Sequence, residues 1–307
     1  MNKILFITPS IGHGGAEKQL AILARELNNR GFKAIILPLK NNTQNSILPE
    51  FQNLKLIETN IKNKFSFTDF FRLRRIIKAI NPDIVQGWMY SGNIVSSILT
   101  IGMKKKVFHS IRASDMDLER YGRQIKFNGL LTKFVNKVVF NSQAGYLFHE
   151  NKLFFGKKMV IIPNGIDTDI FKPSLSLRKE MRKKLGISKN KKVIVFAART
   201  DPMKAHERVL EIASMCPDIV FLLAGKGTNE INVPKNVIAL GVCNDMPSVY
   251  NSADMMLHLS NYGEGFPNVV AEAMSCGLPI LVNNIGDSKD IIGNTGIILN
   301  DESSKKI

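Results

Sequence analysis

Short runs of β-branched and other apolar residues alternate with longer segments of helical periodicity along the chain. Such alternation is typical of parallel α/β layers, in which a crossover helix follows each strand. In the first half the pattern predicts strands at Lys3–Ile7, Ala34–Leu39, Lys55–Glu58, Ile84–Gln86, Lys106–Ser110, Lys137–Phe140 and Met159–Ile162. The clearest helix is predicted at Ala16–Asn29, where apolar residues recur on one face.

The alternation lapses once, around Asp167–Leu177, where Pro173 and Ser174 interrupt the apolar periodicity. It resumes with predicted strands at Val193–Ala198, Ile219–Leu223, Val237–Leu240, Met255–Leu259, Ile280–Val282 and Gly296–Leu299. Because 307 residues are many for one hydrophobic core, the lapse predicts two domains, 1–170 and 171–307. We expect two Rossmann-like, doubly wound α/β domains that face each other across a cleft, with ligands at the carboxyl ends of the strands.

Composition limits the cellular compartment and the kinds of site that we expect. No apolar run approaches the roughly 18–20 residues that a membrane-spanning helix needs. The opening residues, MNKILFITPS, lack the apolar stretch and cleavage site of a signal peptide and are expected to form a strand. The three cysteines, Cys216, Cys243 and Cys276, are widely spaced, which argues against a disulfide framework or a zinc site. We therefore expect reduced thiols and a cytoplasmic protein.

Charge is distributed unevenly along the chain. The formal net charge is +16, and residues 1–170 hold 25 Lys and Arg against 12 Asp and Glu, whereas residues 171–307 hold 17 against 14. A basic first half favours an anionic partner such as phospholipid, nucleic acid or a phosphorylated substrate, although a lysine-rich composition that serves solubility is the alternative. The segment Phe65–Ile80 mixes phenylalanines with arginines as interfacial helices do, or is an ordinary surface helix. We expect a protein that binds peripherally to the inner face of the membrane.

A glycine-rich segment, Gly12-His13-Gly14-Gly15-Ala16-Glu17, follows the first predicted strand and opens the first helix. Glycines there let backbone N–H groups approach an anion, or simply form a tight turn. The spacing matches neither the dinucleotide fingerprint nor a P-loop.

The second half contains the segment with the strongest chemical signal, Tyr262–Gly277. It follows a predicted strand, turns on glycines and starts a helix near Asn268, with Pro267 at its start and Gly277 at its end. Glu264 lies on the loop, and Glu272 lies about one turn inside the helix. This arrangement predicts one carboxylate at a sugar and one at a ribose diol, with the backbone N–H groups of Phe266–Val270 pointing at the ligand.

A pair of cations lies between these segments. Arg199 and Lys204 follow the predicted strand Val193–Ala198 on one loop. An arginine fork and a lysine point charge at that spacing are suited to a diphosphate, although an exposed loop with ordinary charges is the alternative.

In this order, five segments resemble family 4 of the retaining glycosyltransferases, which have the GT-B fold. They are Gly14-Gly15, Pro163-Asn164-Gly165-Ile166-Asp167, the Arg199/Lys204 pair, Ala224-Gly225-Lys226-Gly227, and Glu264 with Glu272 seven residues apart. The resemblance implies a metal-independent transferase that moves a sugar from a nucleotide-diphosphate sugar to a glycan, lipid-linked or other membrane-associated acceptor. Such activity belongs to the synthesis of cell-surface polysaccharide or glycolipid.

The resemblance also implies roles for individual residues. Arg199 and Lys204 would hold the diphosphate, Glu272 the ribose, and Glu264 the hydroxyls of the donor sugar. The implied donor-binding set is Gly15, Gly225, Glu264, Phe266, Pro267, Asn268, Val269 and Glu272, with Asn164 at the domain junction. Many members have a histidine at the end of the fifth strand, and here either His109 or Arg112 occupies that place.

Two features depart from the family or invite another interpretation. The family usually continues for several dozen residues beyond Gly296–Leu299, so we expect the usual C-terminal helices to be missing from this chain. Asp115-Met116-Asp117 and Asp167-Thr168-Asp169 have the form of a metal-binding Asp-x-Asp, but the expected architecture argues against that role. We expect neither a metal nor another cofactor.

Three other functions fit parts of the sequence. A nucleotide-sugar epimerase would share the two domains, and a non-catalytic, glycosyltransferase-like partner subunit would share the basic face. A nucleic-acid binder is favoured by charge alone, because no aromatic and basic motif of the known modules is present. We therefore expect no nucleic-acid partner.

Overall fold

The computed structural model describes residues 2–12, 14–40, 49–59, 61, 66–150, 152–154 and 156–299. The chain divides into two compact units, Met1–Asn164 and Gly165–Ile307. This division falls a few residues before the lapse in periodicity around Asp167–Leu177. Predicted features at Phe65 and in the tail after Leu299 lie outside the described residues.

The first unit alternates strands and helices. Its strands are β1 (Lys3–Thr8), β2 (Lys33–Pro38), β3 (Lys55–Leu56), β4 (Ile84–Trp88), β5 (Lys106–Ile111), β6 (Lys137–Phe140) and β7 (Met159–Ile161). Its helices are α1 (Gly15–Asn29), α2 (Phe67–Ile80), α3 (Met89–Thr100), α4 (Leu118–Leu131) and α5 (Gln143–Glu150). The described strands form one parallel sheet in the order β3-β2-β1-β4-β5-β6-β7.

The second unit repeats this plan with a shorter sheet. Its strands are β8 (Val193–Ala197), β9 (Val220–Ala224), β10 (Val237–Gly241), β11 (Met255–His258), β12 (Ile280–Asn283) and β13 (Ile297–Leu299). Its helices are α6 (Leu175–Lys184), α7 (His206–Met215), α8 (Met246–Ser252), α9 (Asn268–Ser275) and α10 (Ser288–Ile292). The described strands are again parallel, in the order β10-β9-β8-β11-β12-β13.

Both sheets are buried on their two faces, which explains why the strands are almost continuously apolar. In β1, Ile4 and Phe6 pack on one side of the sheet, and Leu5 and Ile7 pack on the other. In β8 the same period of two sends Val195 to one core cluster and Phe196 to the opposite one. The predicted strands and the predicted helix at Ala16–Asn29 are confirmed to within about two residues at each end.

Each sheet has one point where the strand order reverses. It lies between β1 and β4 in the first unit and between β8 and β11 in the second. Loops that leave the carboxyl ends of two such strands diverge to opposite faces and leave a crevice in which ligands bind. The glycine segment follows β1, Arg199 and Lys204 follow β8, and the Glu264 loop follows β11.

Candidate functional site

The Lys204 and Glu264 side chains form an ion pair at the reversal point of the second sheet. Lys204 ends a short 3-10 turn, Pro202–Lys204, after β8, and Glu264 lies on the loop after β11. The Ser260 hydroxyl donates to Glu264 Oε1 at 2.7 Å. Glu264 is only 8% exposed, so the Lys204 charge acts on it with little screening by water.

Glu264 remains ionised across the physiological range. Burial by itself raises the pKa of this carboxyl, but the Lys204 ammonium and the hydrogen bonds from Lys204 and Ser260 outweigh it and lower the pKa to about 2. His258 Nε2 lies 3.6 Å from Glu264 Oε1. Burial lowers the pKa of His258 to about 4, despite the nearby carboxylate, so this ring is neutral at pH 7. The site therefore presents a fixed carboxylate and a fixed ammonium side by side.

Neighbouring loops brace the Glu264 loop. Asn283, the last residue of β12, accepts from the Ser260 N–H at 3.1 Å and donates to the Ser260 carbonyl. The Asp287 N–H donates to the Gly265 carbonyl at 2.9 Å. Gly286 has φ +61, and a Cβ there would lie 2.7 Å from the Glu264 carbonyl oxygen, so only glycine fits. The loop is held from both sides.

Arg199 has a carboxylate partner of its own. Its Nε and Nη2 atoms donate to Asp201 Oδ2 at 3.1 and 3.0 Å, while the Asp201 Oδ1 accepts from the Met203 N–H. The Arg199 side chain is half exposed. Both predicted diphosphate ligands, Arg199 and Lys204, are therefore on one loop, and each is paired with an acid.

Glu272 is buried inside α9. Its Oε2 accepts a hydrogen bond from the Tyr250 hydroxyl at 3.0 Å, and the residue is 4% exposed. Burial and the neighbouring Glu272 carboxylate raise the pKa of Tyr250 well above its usual value, which keeps the phenol protonated as the donor. Gly277, with φ +80, follows the helix as predicted.

The start of α9 modifies one prediction. Helix α9 begins at Asn268 after Pro267, with no side chain capping its N-terminus. Proline has no N–H, and the Val270 N–H already donates to the Pro267 carbonyl at 3.1 Å. The predicted run of ligand-facing donors, Phe266–Val270, is therefore interrupted at Pro267 and ends before Val270.

Gly225 joins two loops of the second unit. It has φ +150, and a Cβ there would lie 2.1 Å from the Ala198 carbonyl oxygen, next to Arg199. The Gly225 N–H donates to the Gly241 carbonyl at 2.7 Å. The glycine therefore allows the loop after β9 to approach the chain that carries the cations.

We expect Gly225→Ala to destabilise the second unit and to weaken ligand binding at the Arg199 loop. The added methyl group forces backbone apart, at a cost of about 1–3 kcal/mol. Thermal unfolding should show a melting temperature lower by several degrees. Gly165→Ala is the matched control, because a Cβ there meets nothing within 4 Å. Equal melting temperatures for the two variants would contradict the assignment of Gly225 to a close backbone approach.

In the first unit, the glycine segment and the end of β4 meet at Trp88. Helix α1 begins at Gly15, with Gly14 as its N-cap and no side-chain cap. The Trp88 indole N–H donates to the Ala16 carbonyl at 3.0 Å. The Arg112 guanidinium lies over the Trp88 ring, 3.9 Å from its centroid. Three segments from different parts of the sequence are thus joined at one edge of the sheet.

The two alternatives on β5 lie in different surroundings. His109 is fully buried, and its Nε2 lies 2.7 Å from the Ser97 hydroxyl. Burial lowers the pKa of His109 to about 3, so the ring is neutral. Arg112 lies just beyond the last residue of β5, is partly buried, and donates from Nη1 to Asn164 Oδ1 at 2.6 Å. Arg112 and the junction residue Asn164 are thus in direct contact.

The two Asp-x-Asp segments cap turns. Asp117 is the N-cap of α4 and accepts from the Glu119 and Arg120 N–H groups. Asp167 accepts from the Asp169 and Ile170 N–H groups. Within the described residues, no group of three or more His, Cys, Asp or Glu side chains is placed to hold a metal ion.

Several side chains at these edges were not predicted: Trp88, Asp201, Tyr250, His258, Ser260 and Asn283. Some carried a usable signal, since Ser260 and Asn283 are polar residues at the carboxyl ends of adjacent buried strands. His258 lies within an apolar run and looks like a core residue in the sequence, and Tyr250 lies in the short helix α8 with no motif around it.

Comparison with protein families decides the affiliation of this chain. Residues 13–170 match Glycosyltransferase Family 4, and residues 178–307 match Glycosyl transferases group 1. The first match alone spans half of the chain. The chain belongs to glycosyltransferase family 4.

Two curated relatives of this family 4 chain are similar to it over only part of their own length. The Escherichia coli UDP-Gal:alpha-D-GlcNAc-diphosphoundecaprenol alpha-1,3-galactosyltransferase is 30% identical over 153 residues, which are 45% of this chain and 39% of that protein. The D-inositol 3-phosphate glycosyltransferase of Mycobacterium sp. (strain KMS) is 30% identical over 142 residues, 41% of this chain and 32% of that protein. The matched region thus spans about a third of the length of these relatives.

Solved structures share the fold of this family 4 chain. The Anabaena protein HepE, in complex with UDP and glucose, superposes with a TM-score of 0.86 at 20% sequence identity, covering 99% of this chain and 87% of HepE. At that identity the likeness shows the fold alone. The predicted GT-B class, with two parallel-sheet α/β domains, is confirmed.

Proposed function

We propose that this chain is a retaining glycosyltransferase that moves a sugar from a nucleotide-diphosphate donor to a glycan, lipid-linked or other membrane-associated acceptor. The observation that supports this most is the buried Lys204–Glu264 pair at the reversal point of the second sheet. A nucleotide-sugar combines a diphosphate, which needs a cation, with hydroxyl groups, from which a carboxylate accepts hydrogen bonds. The pair offers both groups side by side.

The donor-side roles follow from the chemistry of each group. We assign the diphosphate to Lys204 and Arg199, which offset the negative charge that develops on the leaving group as its bond to the sugar breaks. In this assignment Arg199 releases the Asp201 carboxylate and donates to phosphate oxygens instead. Glu264 and the N–H groups of Phe266, Asn268 and Val269 hold the sugar, beside Pro267. Glu272, held by Tyr250, takes the ribose hydroxyls, and Gly225 lets the loops close around the phosphates.

We assign the acceptor side to the first unit. There Gly15 opens α1 at the reversal point of the sheet, and Arg112 and Asn164 lie at its carboxyl edge. Of the two alternatives on β5, Arg112 is the ligand-facing residue, since His109 has no exposed surface. The basic character of residues 1–170 suits an anionic acceptor or surface.

The relatives support a cell-surface pathway. The Escherichia coli relative is named for an acceptor that is a sugar linked through diphosphate to a polyprenol. The structural relative HepE binds UDP and glucose. We therefore propose a UDP-sugar as donor, a lipid-linked sugar as acceptor, and a role in polysaccharide or glycolipid synthesis.

A thermal-shift panel of UDP-, GDP- and ADP-sugars in excess EDTA tests donor binding. At a concentration 100 times its dissociation constant, the right donor should stabilise the protein by about 2.7 kcal/mol. Because Arg199 and Lys204 supply the positive charge, we expect the shift, and subsequent transfer, to persist in the chelator. Activity that disappears with EDTA and returns with Mn²⁺ or Mg²⁺ would contradict metal independence.

We also propose that α2 attaches the first unit to anionic membrane. Phe67 and Phe71 are 79% and 55% exposed on this helix, and Arg72, Arg75 and Lys78 are exposed beside them. Each cation near an anionic leaflet contributes about 1 kcal/mol. Within the described residues, no helix is both long and apolar enough to span a membrane.

Replacing Arg72, Arg75 and Lys78 with glutamine should lower binding to anionic vesicles about 100-fold. Arg74 is left in place, because it donates to the Leu99 and Ile101 carbonyls and so stabilises the fold. Co-sedimentation with anionic and neutral vesicles, at about 0.1 M and about 1 M salt, measures the effect. Undiminished binding of the triple variant, or equal binding to neutral vesicles, would show that the basic charge does not bind lipid.

A further inference from the structure

The Arg112 guanidinium is fixed in place by three neutral groups. Its Nε donates to the Ser110 hydroxyl at 3.0 Å, and its Nη1 donates to Asn164 Oδ1 at 2.6 Å. The third group is the Trp88 ring, whose centroid lies 3.9 Å from the guanidinium carbon. These bonds leave the Nη2 amino group and one Nη1 hydrogen for another partner, since a guanidinium has five N–H donors.

Arg112 has no negative partner in the described part of the chain. No carboxylate there lies within 4.0 Å of its nitrogens, whereas the similarly enclosed Arg178 and Arg182 both pair with Asp254. Burial lowers the pKa of Arg112 to about 9, so the group is still a cation at neutral pH. A partly buried cation without a counter-charge is costly, and a bound anion offsets that cost.

The first turn of α1 also contacts Trp88. The Trp88 indole N–H donates to the Ala16 carbonyl in the first turn of α1. This helix has 15 residues, so the positive end of its dipole lies at this edge of the sheet. The acid of that first turn, Glu17, is engaged with the Ser10 hydroxyl at 2.9 Å. The carboxylate of Glu17 also lies against Gly14 at this end of the helix, so the attraction for an anion beside Trp88 comes from Arg112.

We propose that Arg112, held over the Trp88 ring, binds a phosphoryl group of the acceptor and thereby selects phosphorylated acceptors. The planar fork of an arginine matches the oxygens of phosphate, and the contact with the Trp88 ring limits the movement of that fork. Trp88 is a positioning residue for Arg112. This inference rests on the proposed transferase activity, but phosphoryl binding by Arg112 is measurable without turnover.

The binding test uses the fluorescence of Trp88, which is the only tryptophan of the chain. Inorganic pyrophosphate is titrated into a variant that carries both Arg199→Ala and Lys204→Ala, in which the two donor-side cations are removed. We expect a saturable change in emission that Arg112→Gln, added to this background, weakens about 10- to 100-fold. Arg112→Lys should keep part of the affinity, because it keeps the charge. Arg123→Gln, on the exposed face of α4, is the matched control. Equal affinity with and without Arg112 would overturn the proposal.

The kinetic test compares two acceptors with the same sugar, one linked to a short polyprenyl diphosphate and one to a neutral alkyl group. Arg112→Gln should raise KM for the diphosphate acceptor about 10- to 100-fold and leave KM for the donor unchanged. Loss of kcat with both acceptors, or a higher KM for the donor instead, would overturn the proposal. A wild-type protein that transfers to neither acceptor would contradict the transferase function, while the fluorescence titration would still decide the role of Arg112.

Discussion

Lys204→Ala is expected to lower kcat/KM for sugar transfer at least about 100-fold. The substitution removes the charge to which we assign the donor diphosphate and leaves Glu264 buried without its cation. Breaking such a pair costs about 3–5 kcal/mol, and removing a charge-assisted contact to the transition state costs about 2–4 kcal/mol. Steady-state kinetics with the donor found in the thermal-shift panel measures the loss.

Two comparisons make this result specific. Lys179→Ala removes an exposed lysine from α6 in the same unit and should leave kinetics unchanged. Lys204→Arg keeps the charge and should recover part of kcat/KM. If Lys204→Ala binds donor as the wild type does in calorimetry, and turns over at a similar rate, then the donor site lies elsewhere.

Asp254→Ala is expected to destabilise the second unit by about 3–5 kcal/mol. Its two carboxylate oxygens accept from Arg178 and Arg182 at 2.6 and 2.9 Å, and Oδ2 also accepts from the Val193 N–H at 2.8 Å. Burial opposes the charge of Asp254, but these bonds outweigh it and lower its pKa. The alanine leaves Arg182 buried and uncompensated, which is the costly part.

Hydrogen exchange measured by mass spectrometry localises the effect to the second unit, because it reports the protection of individual segments. Peptides from α6 and β8 should lose protection in Asp254→Ala. Asp218→Ala is the control, because that side chain is 99% exposed and its lysine partner is 4.0 Å away. Protection in α6 and β8 that matches Asp218→Ala would show that the Asp254 cluster does not stabilise the unit.

Much of the fold follows from local sequence patterns. Strands such as Val193–Ala197 are short apolar runs buried on both faces, and their bounds are visible without tertiary information. The short β3 is the weakest case, since only Lys55–Leu56 of the predicted Lys55–Glu58 forms a strand. Beyond Leu56, the Ile57 N–H still donates to the Ile36 carbonyl, so the pairing of β3 with β2 weakens gradually at this end.

Only those residues of the candidate site that lie in recognisable motifs could be predicted from the sequence. Arg199, Lys204, Glu264 and Glu272 follow from resemblance, and the structure brings Lys204 and Glu264 together across 60 residues of sequence. Contacts between distant side chains leave no periodic signal, which is why the Tyr250–Glu272 bond was missed. His109 lies inside β5 and Arg112 just beyond its end, so their burial differs although they are three residues apart, and spacing alone does not reveal that difference.

Nuclear magnetic resonance of the transfer product tests the central claim most directly. The wild-type protein is incubated with an α-linked UDP-sugar and a lipid-linked sugar acceptor in EDTA, and the anomeric signals are followed over time. We predict a new glycosidic bond with the same α configuration as the donor, absent in Lys204→Ala. Hydrolysed or epimerised donor without a new bond, donor that binds but stays intact, or a β-linked product would contradict a retaining glycosyltransferase.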